Sequence, residues 1–329
     1  MPLLRPALAT CASALIAILI AVEARATPAP SAAEGNFAGL VNIGGRQLYL
    51  QCRGKGSPTV ILEAGYRSSA RVWSEDLHPS GVPRTMVFTG VATFTHVCAY
   101  DRPGTIADHN GHRLPSRSSP VPQPRTATNI VSDLHALLHV ARVPGPYVLA
   151  GHSLGGEFVR LYASTYPDEV VGLILVDAYS ERLETLVTPA QWQALVGLNV
   201  RFGFDTVGPV PGYGDLETLG YGKDNAAMRQ AVATAPLRPM PLAVLAHEHP
   251  FDIPEKLEEF PSNTLESTLR AANEDLATLV PNARFFVAEN SGHDIHQDQP
   301  ELVTEAVRQV VAGVRNRDTW YDLTSCCAK

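Results

Sequence analysis

The 329-residue sequence lacks any cluster of basic side chains, and its formal net charge is −7 with a pI near 5.9. Binding to nucleic acid or to an anionic membrane surface needs such a cluster, so we expect neither partner. The chain also lacks the Cys and His spacings of metal sites, and we predict no metal and no cofactor. With 45% hydrophobic and 18% charged residues, the composition is that of an ordinary globular protein with a large buried core.

An apolar stretch near the N-terminus, Ala7 to Val22, is shorter than the roughly 20 residues that a membrane span needs. Arg5 precedes it and the sequence Ala-Arg-Ala at 24–26 follows it, which is the arrangement of a cleaved secretory signal. We therefore predict a signal peptide over 1–26, a small-residue linker over 27–38 and no stable membrane anchor after cleavage. The expected location is secreted or periplasmic, and an uncleaved anchor is the alternative.

Cysteine is scarce, with five residues in the chain. Cys11 would leave with the signal peptide, so an even number would remain in an oxidising compartment. Cys52 and Cys98 lie in apparent strands. Cys326 and Cys327 lie in a polar tail, where a bridge between them, a link to another chain and free thiols all stay open.

The sequence Gly-His-Ser-Leu-Gly at 151–155 places Ser153 between a buried strand and a helix. Tyr147 to Ala150 form a short apolar run typical of a buried strand, and apolar residues recur at helical spacing from Leu154 onward. In that context a G-x-S-x-G pattern presents the serine on a strained turn, beside the free N–H groups of a helix start. A glycine-flanked turn serine without a catalytic role is the alternative.

Strand-like and helix-like segments alternate along the chain. This predicts the α/β class, with a mainly parallel sheet covered by helices on both faces. The alternation lapses after the sixth strand, Val170 to Val176, and resumes at Leu242, so we predict a helical cap, or lid, over about 179–239. The folded domain would extend over 39–316, with a tail over 317–329.

Three motifs together resemble those of the α/β-hydrolase family. They are residues 151–155, the Tyr-Asp-Arg-Pro-Gly turn at 100–104, and Ser-Gly-His at 291–293 followed by Asp-Gln-Pro at 298–300. The resemblance, which covers about Gly39 to Val314, implies an eight-stranded sheet whose second strand is antiparallel. It also implies a Ser–acid–His triad in that chain order.

The same resemblance makes the second and fourth strands neighbours. Cys52 would then lie beside Cys98, and we predict a disulfide between them. Two buried free thiols are the alternative.

The predicted base of the triad is His293. A serine hydroxyl becomes an effective nucleophile when a base takes its proton, and histidine suits this task because its pKa lies near working pH. The resemblance places the catalytic histidine at His293. His296, otherwise a surface residue, and His152, otherwise a packed one, are the alternatives.

The histidine needs a carboxylate to fix its tautomer. The usual family position follows the seventh strand, but there this chain has His-Glu-His-Pro at 247–250, leaving Glu248 and Asp252 as candidates. Some relatives place the acid after the sixth strand, and Asp177 fits that position. Asp177 is the predicted acid, and helix capping is its alternative role.

The predicted oxyanion hole uses two backbone N–H groups. One belongs to Leu154, directly after the nucleophile, and the resemblance implies that the other belongs to Tyr66, in the loop after the third strand. A simple packing role for Tyr66 stays open. Asp101 and Arg102 are expected to be structural.

These residues together predict a secreted serine hydrolase that cleaves carboxylic esters through an acyl-enzyme, acting on a small-molecule or lipid-like substrate. Lactone opening, thioester hydrolysis and cofactor-free perhydrolysis use the same triad and stay open, as does an inactive hydrolase fold used for binding. Epoxide hydrolysis and dehalogenation are disfavoured, since relatives with those activities carry an aspartate at the position of Ser153. The sequence indicates no oligomeric state.

Overall fold

The computed structural model describes residues 35–79, 81–109, 112–201, 215–251, 258–260 and 264–321. The predicted signal peptide, Cys326 and Cys327 lie outside these ranges. The strands are β1 (Phe37–Asn42), β2 (Gln47–Arg53), β3 (Thr59–Glu63), β4 (Val97–Tyr100), β5 (Ile106–His109), β6 (His112–Pro115), β7 (Tyr147–His152), β8 (Val170–Val176), β9 (Leu242–His247) and β10 (Arg284–Ala288). The helices are α1 (Arg71–Ser74), α2 (Val87–Val91), α3 (Ala127–Val140), α4 (Leu154–Thr165), α5 (Leu183–Leu186), α6 (Pro189–Arg201), α7 (Tyr221–Thr234), α8 (Thr264–Leu276), α9 (Ile295–Asp298), α10 (Pro300–Arg315) and α11 (Arg317–Tyr321).

Eight strands form one sheet in the order β1-β2-β4-β3-β7-β8-β9-β10. β2 runs antiparallel to both of its neighbours. In the rest of this sheet, β4-β3-β7-β8-β9-β10, every pair of neighbouring strands is parallel. The predicted α/β class and the mainly parallel eight-stranded sheet are thereby confirmed. Because the parallel strands share one direction, the carboxyl ends of β3, β7, β8, β9 and β10 meet at the same edge.

The sheet is buried on both faces, as its apolar strands predict. Along β7 the side chains alternate between two cores: Tyr147 and Leu149 pack in one, and Val148 and Ala150 pack in the other. Side chains of α3 and α4 fill the first core, and those of α2 and α10 fill the second. β7 is therefore a rigid central strand, buried along its whole length.

Two helices begin with sequence features suited to a helix start. Thr126 caps α3, where its side chain and that of Asn129 each accept a hydrogen bond from the other's backbone N–H, which forms a capping box. α10 begins at Pro300, whose fixed φ and missing N–H suit the first position of a helix.

Cys52 in β2 and Cys98 in β4 are register partners, and a disulfide joins them as the resemblance implied. Hairpin β5–β6, in contrast, gives little sequence signal. It lies within residues 105–125, which are rich in Pro, Ser and Arg and lack the apolar alternation of a half-buried strand. Its pairing is visible in the structure alone.

The interval between β8 and β9 holds α5, α6 and α7, while residues 202–214 lie outside the described ranges. α7 packs against α3 and α4, and both Asn225 and Met228 are completely buried. The lid predicted over 179–239 thus includes a helix that belongs to the core layer. A covering role for the rest of the interval stays a prediction.

The chain termini of the described part are packed on the domain. β1 begins at Phe37, inside the segment predicted as linker. α11 lies inside the segment predicted as tail, and its Trp320 is buried. Among the described helices, none combines the length and the apolar character needed to cross a membrane.

Candidate active site

Ser153 occupies a sharp turn between the end of β7 and the start of α4. Its φ is 52° and its ψ is −125°, a backbone conformation that costs a non-glycine residue on the order of 1–3 kcal/mol. A Cβ on Gly151 would lie 2.5 Å from the carbonyl oxygen of Gly155, and one on Gly155 would lie 2.5 Å from that of Ala64. The flanking glycines are therefore required by close backbone approach.

The Ser153 side chain makes no capping hydrogen bond to α4. A serine at the start of a helix usually serves as such a cap. The backbone N–H of Ser153 donates to the carbonyl of Val176, and its own carbonyl accepts from Tyr179, so the turn is tied to the end of β8. Ser153 is therefore strained, and its hydroxyl does not stabilise α4. Both observations argue against the alternative of a turn serine without a catalytic role.

The loop after β3 packs directly on this turn. A Cβ built on Gly65 would lie 3.1 Å from the Cβ of Ser153. The buried guanidinium of Arg102 donates to the carbonyls of Ala64 at 2.9 Å and Gly65 at 2.6 Å. Tyr66 follows in the same loop. Since these carbonyls are held from one side, the backbone of the loop is fixed beside Ser153.

Arg102 is itself held by two buried carboxylates. Glu63 at the end of β3 accepts at 2.5 Å, and Glu217 accepts at 2.6 Å from the interval that precedes α7. A charge so deeply buried is tolerated only when it is paired and hydrogen-bonded. Asp101 likewise accepts hydrogen bonds from Arg117 and from the N–H of Ala70. Both Asp101 and Arg102 have the structural surroundings expected of them.

Asp177, at the carboxyl end of β8, bonds to His293. The two side chains are 2.5 Å apart, from Oδ2 to Nδ1. Burial by itself would raise the pKa of Asp177, but hydrogen bonds from His247 and His293 outweigh burial and hold that pKa well below its ordinary value. The carboxylate is thus ionised, and Nδ1 of His293 donates the proton in the bond.

The pKa of His293 is raised above its ordinary value. Burial alone would lower it, but the hydrogen bond to Asp177 and the charge of that carboxylate more than compensate. Because Nδ1 is held by Asp177, Nε2 is the nitrogen left for a reacting group.

His247, the last residue of β9, is a second histidine on Asp177, and sequence reasoning did not single it out. Its Nδ1 lies 2.7 Å from Oδ2 of Asp177, and its Nε2 lies 3.0 Å from a carboxylate oxygen of Glu266 in α8. Burial lowers the pKa of His247, yet the bonds to these two carboxylates raise it to about 9. His247 is therefore a cation at neutral pH.

The sequence did carry a signal for His247. The expected glycine turn and aspartate after β9 are replaced by His-Glu-His-Pro at 247–250. The predicted candidates there were the carboxylates Glu248 and Asp252, and not His247. Phe251 completes this part of the site: its ring lies 5.1 Å from that of His247 and 4.7 Å from that of His293, and its N–H donates to Glu266. Phe251 shields both imidazoles from one side.

His152 and His296 pack together beneath the site, with ring centroids 4.2 Å apart. Burial and the nearby His293 lower the pKa of His152 to about 4, and burial and His152 hold the pKa of His296 well below its ordinary value. Nε2 of His152 lies 3.1 Å from the carbonyl oxygen of His293. The surface position considered for His296 is wrong, because its side chain is buried and its ring lies 4.7 Å from that of Trp73.

The alternative acids have other surroundings. Glu248 is half-exposed and accepts a hydrogen bond of 2.7 Å from the backbone N–H of Asn290. Asp252 lies outside the described residues.

Four groups of side chains in the described ranges have the composition and spacing to hold a metal ion. Two lie at this site, around Asp177 and around His152, and a third includes the disulfide-bonded Cys52 and Cys98. In the group around Asp177, His247 contacts two carboxylates, Asp177 and Glu266, by hydrogen bonds. The fourth group lies at the opposite edge of the sheet.

Comparison with known proteins identifies the family of this fold. Residues 60–306 match the alpha/beta hydrolase family, and the chain belongs to that family. An AB hydrolase superfamily protein of Gibberella zeae is 24% identical over 82% of this chain and 92% of its own length. The uncharacterised protein YqjL of Bacillus subtilis is 24% identical over 78% of this chain and 85% of its own.

Solved structures with the same fold include a putative lipase and a carboxylesterase. A putative lipase from Acinetobacter baumannii is 18% identical, with a TM-score of 0.53 over 86% of this chain and 93% of that chain. The carboxylesterase CesB from Bacillus subtilis is 17% identical, with a TM-score of 0.52 over 84% of this chain and 92% of that chain. At these identities the likeness establishes the fold, and chemistry has to be argued from the site.

Proposed function

We propose that this protein is a secreted serine hydrolase that cleaves carboxylic esters through an acyl-enzyme. Ser153 is the nucleophile, His293 the general base and acid, and Asp177 the carboxylate that orients the imidazole. The observation that carries the proposal is the strained turn of Ser153 at the sheet edge where Asp177 holds His293 by Nδ1. The lipase and the carboxylesterase of the same fold agree with this chemistry.

The reaction proceeds in two half-reactions. Nε2 of His293 takes the proton of the Ser153 hydroxyl as the oxygen attacks the acyl carbon, and the same proton passes to the departing alcohol. A water molecule then loses a proton to His293 and attacks the acyl-enzyme. The acid product leaves, and the proton returns to Ser153. Asp177 stays ionised throughout and stabilises the imidazolium that forms in each half-reaction.

The oxyanion of each tetrahedral intermediate is stabilised by the N–H groups of Leu154 and Tyr66. The first belongs to the start of α4, where N–H groups have no partner within the helix and the helix dipole is positive. The second belongs to the loop whose Ala64 and Gly65 carbonyls Arg102 holds beside Ser153. A single donor of this kind is worth roughly 10²–10³ in rate.

His247 is a positioning residue in this scheme. It binds the same oxygen of Asp177 as His293 does, and Glu266 holds it from the other side. The cation keeps Asp177 ionised and fixes the direction of its carboxylate. It also repels a proton on His293, which limits how far Asp177 raises the pKa of that base.

The substrate class remains the one expected from the sequence, a small-molecule or lipid-like ester. Apolar side chains of α6 agree with an apolar acyl or alcohol group, although Trp192 also packs with Leu183 and Ala272. Lactone opening, thioester hydrolysis and perhydrolysis would use the same side chains of Ser153, His293 and Asp177. These reactions differ from ester hydrolysis in the substrate that the protein prefers. A panel of p-nitrophenyl esters graded by acyl length, run beside lactones and thioesters, ranks them by kcat/KM.

The test of the proposal compares Ser153→Ala with Ser132→Ala, a substitution of an exposed serine on α3. We expect the first variant to lose at least about 10⁴-fold in kcat on the preferred ester and the second to match the unchanged protein. Circular dichroism and thermal unfolding check that both variants are folded. Equal hydrolysis by Ser153→Ala would refute the nucleophile. Failure of the folded, unchanged protein to turn over any ester, lactone or thioester would favour a binding role.

A further inference from the structure

A second group of histidines and a carboxylate lies at the edge of the sheet opposite Ser153. His135 and His139 are one helical turn apart near the C-terminal end of α3. Glu169 directly precedes Val170, the first residue of β8, and so lies at the amino edge of the sheet. Ser153 follows the last residue of β7, a strand parallel to β8, and the two sites are separated by the length of the sheet.

The three side chains converge on one point. Nε2 of His139 lies 2.8 Å from Oε1 of Glu169, and Nε2 of His135 lies 3.2 Å from the same oxygen. The two imidazole centroids are 4.2 Å apart. Residues four apart on a helix lie on the same face, so both rings reach the carboxylate, and each contacts it through Nε2.

Neighbouring aromatic residues hold two of the three groups in place. The ring of His135 stacks on that of Tyr166, with centroids 3.8 Å apart and planes 10° from parallel. The hydroxyl of Tyr162 donates to Oε2 of Glu169 at 2.6 Å, which leaves Oε1 for the histidines.

We propose that His135, His139 and Glu169 form a binding site for a divalent transition-metal ion, with zinc as the best fit and copper as the competitor. Two imidazole nitrogens and one carboxylate oxygen are ligands that both metals accept. With metal–ligand distances of about 2.0–2.1 Å, two ligand atoms of a tetrahedral zinc site lie roughly 3.4 Å apart. The Nε2-to-Oε1 distances of 2.8 and 3.2 Å are close to that value, so small side-chain rotations would admit the ion.

The site is open to solvent, which gives the ion an entry path. The side chains of His135, His139 and Glu169 are 30%, 55% and 24% exposed. Water would complete the coordination shell. Because the ion would join α3 to the start of β8, its expected effect is on stability, and ester hydrolysis at the other edge should not change.

The competing explanation is a hydrogen-bonded cluster in which a proton, not a metal, lies between each imidazole and Glu169. Replacing His139 by glutamine distinguishes the metal site from the hydrogen-bonded cluster. A glutamine side chain can still donate a hydrogen bond to a carboxylate, but it is not among the usual zinc ligands. His139 is the position of choice because it is more exposed than His135 and has no stacked tyrosine.

The experiment is a calorimetric titration of tag-free, chelator-treated mature protein with ZnCl₂, repeated with CuCl₂. All proteins carry Cys326→Ser and Cys327→Ser, so that tail thiols cannot contribute. We expect one zinc ion per chain, binding weakened at least ten-fold by His139→Gln, and binding unchanged in His112→Gln, which alters an exposed histidine of hairpin β5–β6. Diffraction at the zinc absorption edge should place the ion between His135 and His139.

Three results would overturn the proposal. They are no heat of binding up to millimolar zinc, equal affinity in the His139→Gln variant, and an ion located elsewhere in the anomalous map. Zinc bound at Asp177 and His247 would inhibit ester hydrolysis, whereas zinc at the proposed site would raise the melting temperature without inhibition. The test is independent of whether the protein turns out to be an esterase, because metal affinity is measured directly.

Discussion

Two histidine–carboxylate clusters lie at opposite edges of the same sheet and differ chiefly in burial. At the carboxyl edge, Asp177 is 2% exposed and binds two histidines, His247 and His293. At the amino edge, Glu169 is 24% exposed and also faces two. The contacts to Asp177 are 2.5 and 2.7 Å and those to Glu169 are 2.8 and 3.2 Å, all within hydrogen-bond range, so the presence of such contacts alone does not separate a catalytic cluster from a structural or metal-binding one.

Burial is what makes the difference. In a site with little water, each hydrogen bond to Asp177 is stronger, and it fixes both the protonation state and the direction of the imidazole. At the open edge, water competes with every contact and the lone pairs remain accessible to an ion from solution. The backbone conformation also differs between the two clusters. Ser153 and Asp177 both have positive φ values, whereas His135 and His139 lie in a regular helix.

Asp177→Asn should have the largest effect on the buried cluster. The amide cannot stabilise the imidazolium, and it favours the wrong tautomer of His293, so kcat should fall by about 10⁴-fold with little change in KM. Steady-state kinetics on the preferred ester measure it. Glu169→Gln at the open edge is the matched control and should keep kcat. A mild loss in Asp177→Asn would mean that another carboxylate serves His293.

His247→Gln should reduce kcat/KM by about ten-fold and move its pH profile. In the unchanged protein, kcat/KM should fall as pH drops through the pKa of His293, which lies above its ordinary value. Without the nearby cation that pKa rises further, so the acid limb should shift to higher pH. A loss of activity with an unmoved limb would show that His247 acts through packing alone.

The stability of the unchanged protein should also report on His247. Its pKa is raised to about 9 in the folded state, from about 6.5 when unfolded. The stabilisation is therefore complete below pH 6.5 and is lost as pH rises through 9, a change of about 3 kcal/mol in the free energy of unfolding. Urea unfolding at pH 6 and pH 9.5 measures it. The same difference in His247→Gln would assign the effect to other groups.

His139→Gln should have the smallest effect. In metal-free buffer the free energy of unfolding should change by no more than about 0.5 kcal/mol, since the side chain is exposed and water replaces its contact. Ester hydrolysis should be unchanged. A larger destabilisation without metal would remove the contrast between the two clusters.

Local pattern predicted a mainly parallel sheet and the Ser153 turn, whereas the eight strands and the antiparallel second strand were implied by the family resemblance. β7 is apolar from Tyr147 to Ala150, and Gly151 and Gly155 mark a backbone approach that the structure shows at 2.5 Å. The unusual His-Glu-His-Pro sequence marks His247, but its contact with Asp177 could not be predicted, because that contact depends on β9 lying beside β8, across 70 residues of chain. The four-residue spacing of His135 and His139 is visible in the sequence, although the prediction of no metal did not take it into account, and Glu169 joins them only through the fold.

The most direct test of the central claim is the site of covalent labelling by a fluorophosphonate, read by mass spectrometry of peptides from the purified protein. The account predicts one phosphonyl group per chain, located on Ser153, and slower labelling at the same residue in Asp177→Asn. Labelling of another serine, or equal labelling of the folded Ser153→Ala variant, would contradict it.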